Sequence, residues 1–118
     1  KNAKHIFIHI GTNDIEKPNN IDKISHDLIN IGKTLQKQYP NTKIYLSEIP
    51  IRKYFYGKRR IEINKLLRKS LPESIEYISH DNVSQDMLYD KKHIKRECIR
   101  LIVKNMKDSL RRALVQYF

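Results

Sequence analysis

Two hydrophobic patterns alternate along the chain: short apolar runs, and longer stretches in which apolar residues recur every three or four positions. Three short runs, at residues 5–10, 43–49 and 75–79, are rich in isoleucine and have the length of buried β-strands. The first run stops at Gly11, the second at Pro50 and the third at a polar loop. The pattern therefore predicts three strands separated by turns and loops.

Between and after these runs, three stretches carry the apolar stripe of an amphipathic helix. The first begins after the N-cap candidate Asn20 and stops at Tyr39 and Pro40, and its Gly32 is expected to allow close packing on the sheet. The second covers residues 59–71. The third, predicted to be the longest, covers residues 94–117 and has Cys98 in its apolar stripe, where a core role is expected.

The repeated order of strand and helix predicts an α/β domain with a parallel sheet and right-handed crossovers. At 118 residues the chain is at most one domain. A sheet of three parallel strands leaves both edges open and needs cover on both faces. We therefore expect at least one further strand and helix from the upstream part of a longer parent polypeptide.

The charge of the chain is strongly positive, with a formal net charge of +11. Two windows hold 17 of the 24 basic residues, eight in residues 52–69 and nine in residues 91–112, so the charge is concentrated on two predicted helices. This distribution favours contact with nucleic acid or an anionic membrane surface; the alternative is two solvated helix faces. The rings of Tyr54, Phe55 and Tyr56 could stack on nucleic acid or fold onto their own domain.

The sequence contains no apolar run of the ~20 residues that span a bilayer, so no transmembrane segment is expected. Cys98 is the single cysteine, which excludes an internal disulfide framework. A reducing compartment such as the cytoplasm is slightly favoured, and the location is otherwise unknown.

A short polar turn follows the carboxyl end of the first predicted strand. Open parallel sheets bind their ligands at the carboxyl ends of their strands. The turn either caps the next helix or forms part of a site, in which the Asn13 amide would stabilise a developing oxyanion. Its residues are Gly11, Thr12, Asn13 and Asp14.

A second candidate group lies between the third strand and the last helix. Asp90 precedes His93 by three residues, so its carboxylate could fix the tautomer of a histidine base. The alternative is an N-cap acid beside a loop histidine. Glu48, at the end of the second strand, is a third polar residue at a strand end.

No nucleophile is assigned, because none of the candidate hydroxyls lies on a tight strand-to-helix turn. These hydroxyls belong to Thr12, Ser47, Ser79 and Ser84. His5 and His9 share a strand face but lie in an apolar run without carboxylate or cysteine neighbours, so neither a metal site nor a cofactor is expected.

Taken together, residues 8–14 (Ile-His-Ile-Gly-Thr-Asn-Asp) and 89–94 (Tyr-Asp-Lys-Lys-His-Ile) resemble the SGNH/GDSL hydrolase family. The Gly-x-Asn-Asp turn of that family is matched by residues 11–14, and its Asp-x-x-His signature by Asp90 and His93. The resemblance implies that Asn13 is an oxyanion-hole donor, His93 the general base and Asp90 its orienting acid. It implies a Ser-His-Asp hydrolysis of esters, or of acyl groups on sugars or lipids.

The resemblance also implies a three-layer α/β/α sandwich with a flavodoxin-like parallel sheet, in which this chain supplies strands three to five and the C-terminal helix. The Gly-Asp-Ser turn that carries the family's nucleophile is absent from the sequence, as is the family's oxyanion glycine signature. Residues 1–118 are therefore expected to be a partial hydrolase domain that is inactive alone. The competing hypothesis is a catalytically dead basic module that binds nucleic acid.

Overall fold

Strands and helices alternate in the computed structural model, which describes residues 4–10, 20–49, 57–84, 87 and 95–115. A 3-10 turn, Arg96–Cys98, directly precedes the last helix. The strands are β1 (His5–Ile8), β2 (Lys43–Ser47) and β3 (Ile75–Ile78), and the helices are α1 (Ile21–Gln38), α2 (Gly57–Ser70) and α3 (Ile99–Val115).

The three strands form one parallel sheet in the order β1-β2-β3, so the predicted α/β class and parallel sheet are confirmed. In this register Ile8 lies opposite Leu46, and Ser47 lies opposite Ile78. The strands end together at what we call the carboxyl edge of the sheet, formed by residues 8–10, 47–49 and 78–80.

Side chains alternate between the two faces of the sheet, and each face is covered by helices. Buried residues of α1 and α2, such as Leu28 and Leu67, pack with Ile44 of β2 in the larger core. On the opposite face, Tyr45 and Ile78 form a second cluster with α3 and with Phe7. The described residues are thus layered as helices, sheet and helix, which is compatible with a flavodoxin-like α/β fold.

Helix α1 follows the sequence prediction closely. The Asn20 side chain accepts a hydrogen bond from the Lys23 backbone N–H at 2.7 Å and so caps the helix. A Cβ atom added at Gly32 would lie 3.0 Å from Ile75 Cδ1, closer than normal packing allows. Gly32 therefore permits the close approach of α1 to the sheet that the sequence predicted.

The last helix begins at Ile99, later than the start at residue 94 that the sequence predicted. Helix α3 has 17 residues and α1 has 18. Lys95 has an extended backbone, with ψ of 141°, and a 3-10 turn follows, so a helix cannot continue through this point. Cys98 lies in that turn and is half-buried, whereas the sequence placed it in the core.

Candidate functional site

Polar side chains gather at the carboxyl edge around the buried Ser47, Glu48 and His80, in two groups, one on each face of the sheet. On the α3 face lies the His80 cluster, which we define as His9, Ser47, His80, Asn82 and Asn105. On the α2 face lies the Glu48 cluster, which we define as Glu48, Arg68, Tyr77 and Ser79. The alternation of side chains along β2 explains the division, because Ser47 and Glu48 are neighbours and point to opposite faces.

The His80 cluster is a continuous chain of hydrogen bonds. His9 Nδ1 lies 2.8 Å from Ser47 Oγ, and Ser47 Oγ is hydrogen-bonded to His80 Nε2. On the other side of the imidazole, His80 Nδ1 lies 2.8 Å from the side-chain nitrogen of Asn105. Asn105 and Asn82 exchange two hydrogen bonds, at 2.9 and 3.0 Å. The cluster therefore connects the end of β1, the end of β2, the loop after β3, and α3.

Two arrangements of protons satisfy this cluster. With Asn105 Nδ2 facing His80, the imidazole carries its proton on Nε2 and donates to Ser47 Oγ. Inverting both amides, of Asn82 and Asn105, keeps their two mutual hydrogen bonds and turns Asn105 Oδ1 towards His80. His80 then carries its proton on Nδ1, and its Nε2 accepts from the Ser47 hydroxyl.

Burial keeps His80 neutral. Ser47 is 1% exposed and His80 is 2% exposed. The pKa of His80 is lowered from 6.5 to about 4, mainly by loss of water and further by the nearby His9, while Asp81 opposes the shift. The pKa of His9 is also lowered, because its ring is partly withdrawn from water where it meets Ser47 and His80. The His80 imidazole is consequently neutral at pH 7.

The Glu48 cluster holds a buried carboxylate with good partners. Glu48 is 2% exposed, and it accepts hydrogen bonds from Tyr77 Oη at 2.5 Å and from the His80 backbone N–H at 2.6 Å. Arg68 Nη2 lies 3.7 Å away, and its guanidinium stacks 5.1 Å from the centre of the Tyr77 ring. Burial, followed by the bond to Glu48, raises the pKa of the Tyr77 hydroxyl. This cluster ties β2, β3 and α2 together.

The residues that the sequence singled out from its two motifs lie outside the described residues. They are Gly11, Thr12, Asn13, Asp14, Asp90 and His93. The aromatic loop with Tyr54, Phe55 and Tyr56 also lies outside them. Of the other candidates, the structure brings together Ser47 and His9, and it places His5 Nδ1 3.0 Å from Tyr45 Oη.

Described residues flank both motifs. Ile10 belongs to the carboxyl edge and directly precedes Gly11. Met87 and Lys95 flank the segment that includes Asp90 and His93, and Lys95 N–H donates to Met87 O at 2.6 Å.

Sequence reasoning missed the partners of Ser47. His80 and Asn105 were not singled out, and Ser47 was set aside because it lies on a strand. One signal was available: in parallel pairing with Ile8 opposite Leu46, the next residues, His9 and Ser47, lie opposite each other. The contact with Asn105 spans 25 residues and depends on how α3 docks, which no local pattern specifies.

The described ranges hold neither a metal-binding group nor a membrane-spanning helix. No group of three or more His, Cys, Asp or Glu side chains there is arranged to hold a metal ion. Among those same residues, no helix combines the length and the apolar character needed to cross a membrane.

The fold and the two polar clusters define a parallel α/β protein whose buried polar chemistry is concentrated at the carboxyl ends of its strands. Comparison with protein-family models finds no match, and comparison with curated proteins finds no significant match.

Proposed function

We propose that this chain is the C-terminal portion of an SGNH-type acyl hydrolase domain, supplying strands three to five of a flavodoxin-like sheet. In the complete domain, Asn13 donates to the oxyanion, His93 acts as general base and Asp90 orients it. The serine belongs to an upstream Gly-Asp-Ser turn, which this sequence does not contain. The substrates are esters or acyl groups carried on sugars or lipids.

The observation that carries the proposal is the convergence of polar groups at one edge of a parallel sheet. His9 lies four residues before Asn13. The rings of His9 and His80 are both hydrogen-bonded to Ser47 Oγ, and their centres are 5.8 Å apart. His80 contacts Asn105 on α3, the helix that follows Asp90 and His93 in sequence. Ile10, three residues before Asn13, thus lies at the edge where parallel sheets bind ligands.

The sheet order gives further support. In the family, the nucleophile-bearing first strand lies beside the third strand, which corresponds here to β1. Within the described part of the sheet, β1 pairs with β2 on one side only. Its other edge is therefore open to a strand from another segment.

The proposed Asp90–His93 pair is testable in the 118-residue chain itself. If Asp90 accepts a hydrogen bond from His93, its carboxylate favours the imidazolium and raises the pKa of His93. Asp90→Asn should then lower the pKa of His93 by about one unit, measured by NMR titration of the imidazole Hε1 resonance. The matched control is Asp22→Asn, on the exposed first turn of α1, which should leave His93 unchanged. An identical His93 titration in Asp90→Asn and wild type would contradict the pair.

The activity itself is tested by hydrolysis of p-nitrophenyl acetate. The isolated chain should show no turnover above background, because a triad without its nucleophile retains only residual catalysis. Supplying an upstream segment with a Gly-Asp-Ser turn should give turnover that His93→Ala abolishes. Turnover by the isolated chain that disappears in His93→Ala would show that the nucleophile lies within these 118 residues.

A basic surface on α3 supports a second candidate function, binding of nucleic acid. A groove of about 680 Å³ runs along this helix and is lined by five cations around the exposed side chains of Ile99 and Val103. Asp108 offsets part of the charge, through contacts with Lys104 at 2.9 Å and Arg111 at 3.6 Å. The cations are Arg96, Arg100, Lys104, Lys107 and Arg111.

Nucleic-acid binding through this groove should weaken steeply with salt, because counterions are released on binding. We expect Arg100→Ala and Lys107→Ala to reduce the affinity for a single-stranded oligonucleotide and to flatten its salt dependence. Lys33→Ala on α1 is the matched control. The absence of measurable filter binding at low salt would refute this second candidate.

A further inference from the structure

Ser47 lies against a histidine that is itself held by an amide, which is the arrangement of an activated serine. Its Oγ is hydrogen-bonded to His80 Nε2, and His80 Nδ1 lies 2.8 Å from the Asn105 side-chain nitrogen. We propose that Ser47 is an acyl-accepting nucleophile for small activated esters, with His80 as its base and Asn105 as the positioning residue. The proposal is independent of the hydrolase function above, because it uses none of the motif residues.

The reacting form is the one in which the Asn82 and Asn105 amides are both inverted. His80 then donates from Nδ1 to Asn105 Oδ1 and accepts the Ser47 hydroxyl proton at Nε2. When Ser47 Oγ attacks the carbonyl carbon, a new C–O bond forms and the hydroxyl proton passes to His80. The ester C–O bond breaks, and the leaving oxygen takes that proton from His80. The products are O-acyl Ser47 and a free phenol.

Access to Ser47 is controlled by His9. Ser47 is 1% exposed, and the His9 imidazole holds its Oγ from the side of β1 at 2.8 Å. His9 itself is exposed and lies one residue beyond the end of β1. Rotation of the His9 side chain breaks this hydrogen bond and opens the β1 side of the hydroxyl, while the bond between Ser47 and His80 is kept.

The same geometry limits Ser47 to a single acylation without turnover. The backbone N–H that follows it, of Glu48, already donates to Ile78 O at 2.9 Å, so this group does not serve the oxyanion that forms when water attacks the acyl group. An acyl group on Ser47 is therefore expected to persist.

The test is acetylation of the 118-residue chain with p-nitrophenyl acetate, followed by peptide mapping with mass spectrometry. Lysines also react, so each sample is divided and one half is treated with hydroxylamine, which removes an acetyl ester from serine and leaves acetyl-lysine. The expected result is a hydroxylamine-sensitive acetyl group on Ser47, at most one per chain. Ser70→Ala, at the exposed end of α2, should not change the labelling of Ser47.

Three variants separate an activated serine from one that is merely reactive. His80→Gln should slow acetylation of Ser47 by about a hundredfold, because general-base assistance is lost. Asn105→Asp should speed it by about threefold or more, because a carboxylate stabilises the developing imidazolium. His9→Ala should speed it as well, because the hydroxyl is uncovered. If Asn105 had only a structural role, Asn105→Asp would not speed the acetylation of Ser47.

Two results would overturn the proposal. One is the absence of acetyl-Ser47 in both the wild type and His9→Ala, provided that circular dichroism shows both to be folded. The other is labelling of Ser47 at the same rate in His80→Gln and wild type. Because the wild-type map reports on Ser47 directly, the test does not depend on whether Ser47→Ala folds.

Discussion

The burial of neutral His80 predicts that acid destabilises the protein by a defined amount. In the unfolded chain an ordinary histidine titrates at pH 6.5, whereas in the folded protein the pKa of His80 is about 4. Between these values the unfolded state binds more protons than the folded state, so the stability that is present above pH 6.5 is lost as the pH falls. The difference of about 2.5 pH units, at about 1.4 kcal/mol per unit, corresponds to about 3 kcal/mol in total.

Urea unfolding measured by circular dichroism at several pH values between about 7 and 5 tests this linkage. Over that interval His80 alone should remove about 2 kcal/mol of unfolding free energy, since its titration is still incomplete at pH 5. His80→Gln has no titrating imidazole at this position. Over the same pH range its unfolding free energy should therefore fall by about 2 kcal/mol less than that of the wild type. The matched control is His26→Gln, an exposed residue of α1, which should follow the wild type. Equal losses in wild type and His80→Gln would refute the account of the His80 cluster.

Three further substitutions test the packing by urea unfolding at pH 7. Gly32→Ala should change the unfolding free energy by less than about 1 kcal/mol, because the higher helix propensity of alanine offsets the contact of its Cβ with Ile75 Cδ1 at 3.0 Å; a loss of about 2 kcal/mol or more would contradict this balance. Asn64→Ala should cost about 2–4 kcal/mol, since the amide bonds both Ile49 N and Ile49 O at 2.9 Å; a change below 1 kcal/mol would show that water replaces it. Leu67→Ala, at a fully buried position, should cost about 2–5 kcal/mol, and a smaller loss would mean that the core collapses around the cavity.

The sequence predicted the elements of the fold well, because each element has a strong local signal. Asn20 is a good N-cap, Pro40 follows the end of α1, and the three apolar runs give the three strands. The parallel sheet followed from the alternation of strands and helices. The start of α3 was misplaced because the apolar spacing continues through Lys95, whose extended backbone cannot be inferred from that spacing.

The His80 cluster could not be predicted from the sequence, because it depends on contacts between distant segments. Ser47 and His80 are separated by 33 residues, and their contact requires both the sheet register and the path of the loop after β3. Short motifs drew attention to Asp90 and His93 instead. Those residues and the turn at Asn13 remain predictions, and only the turn directly follows a described residue of the carboxyl edge, Ile10.

The central claim is that Asn13 and His93 lie together at the carboxyl edge of the sheet. A spin label attached to Asn13→Cys, in a Cys98→Ser background, tests it by paramagnetic broadening of NMR signals. The account predicts strong broadening of the His93 imidazole resonance and little broadening of the Lys43 amide, which begins β2 at the opposite edge. A His93 resonance as sharp as that of Lys43 would contradict the account.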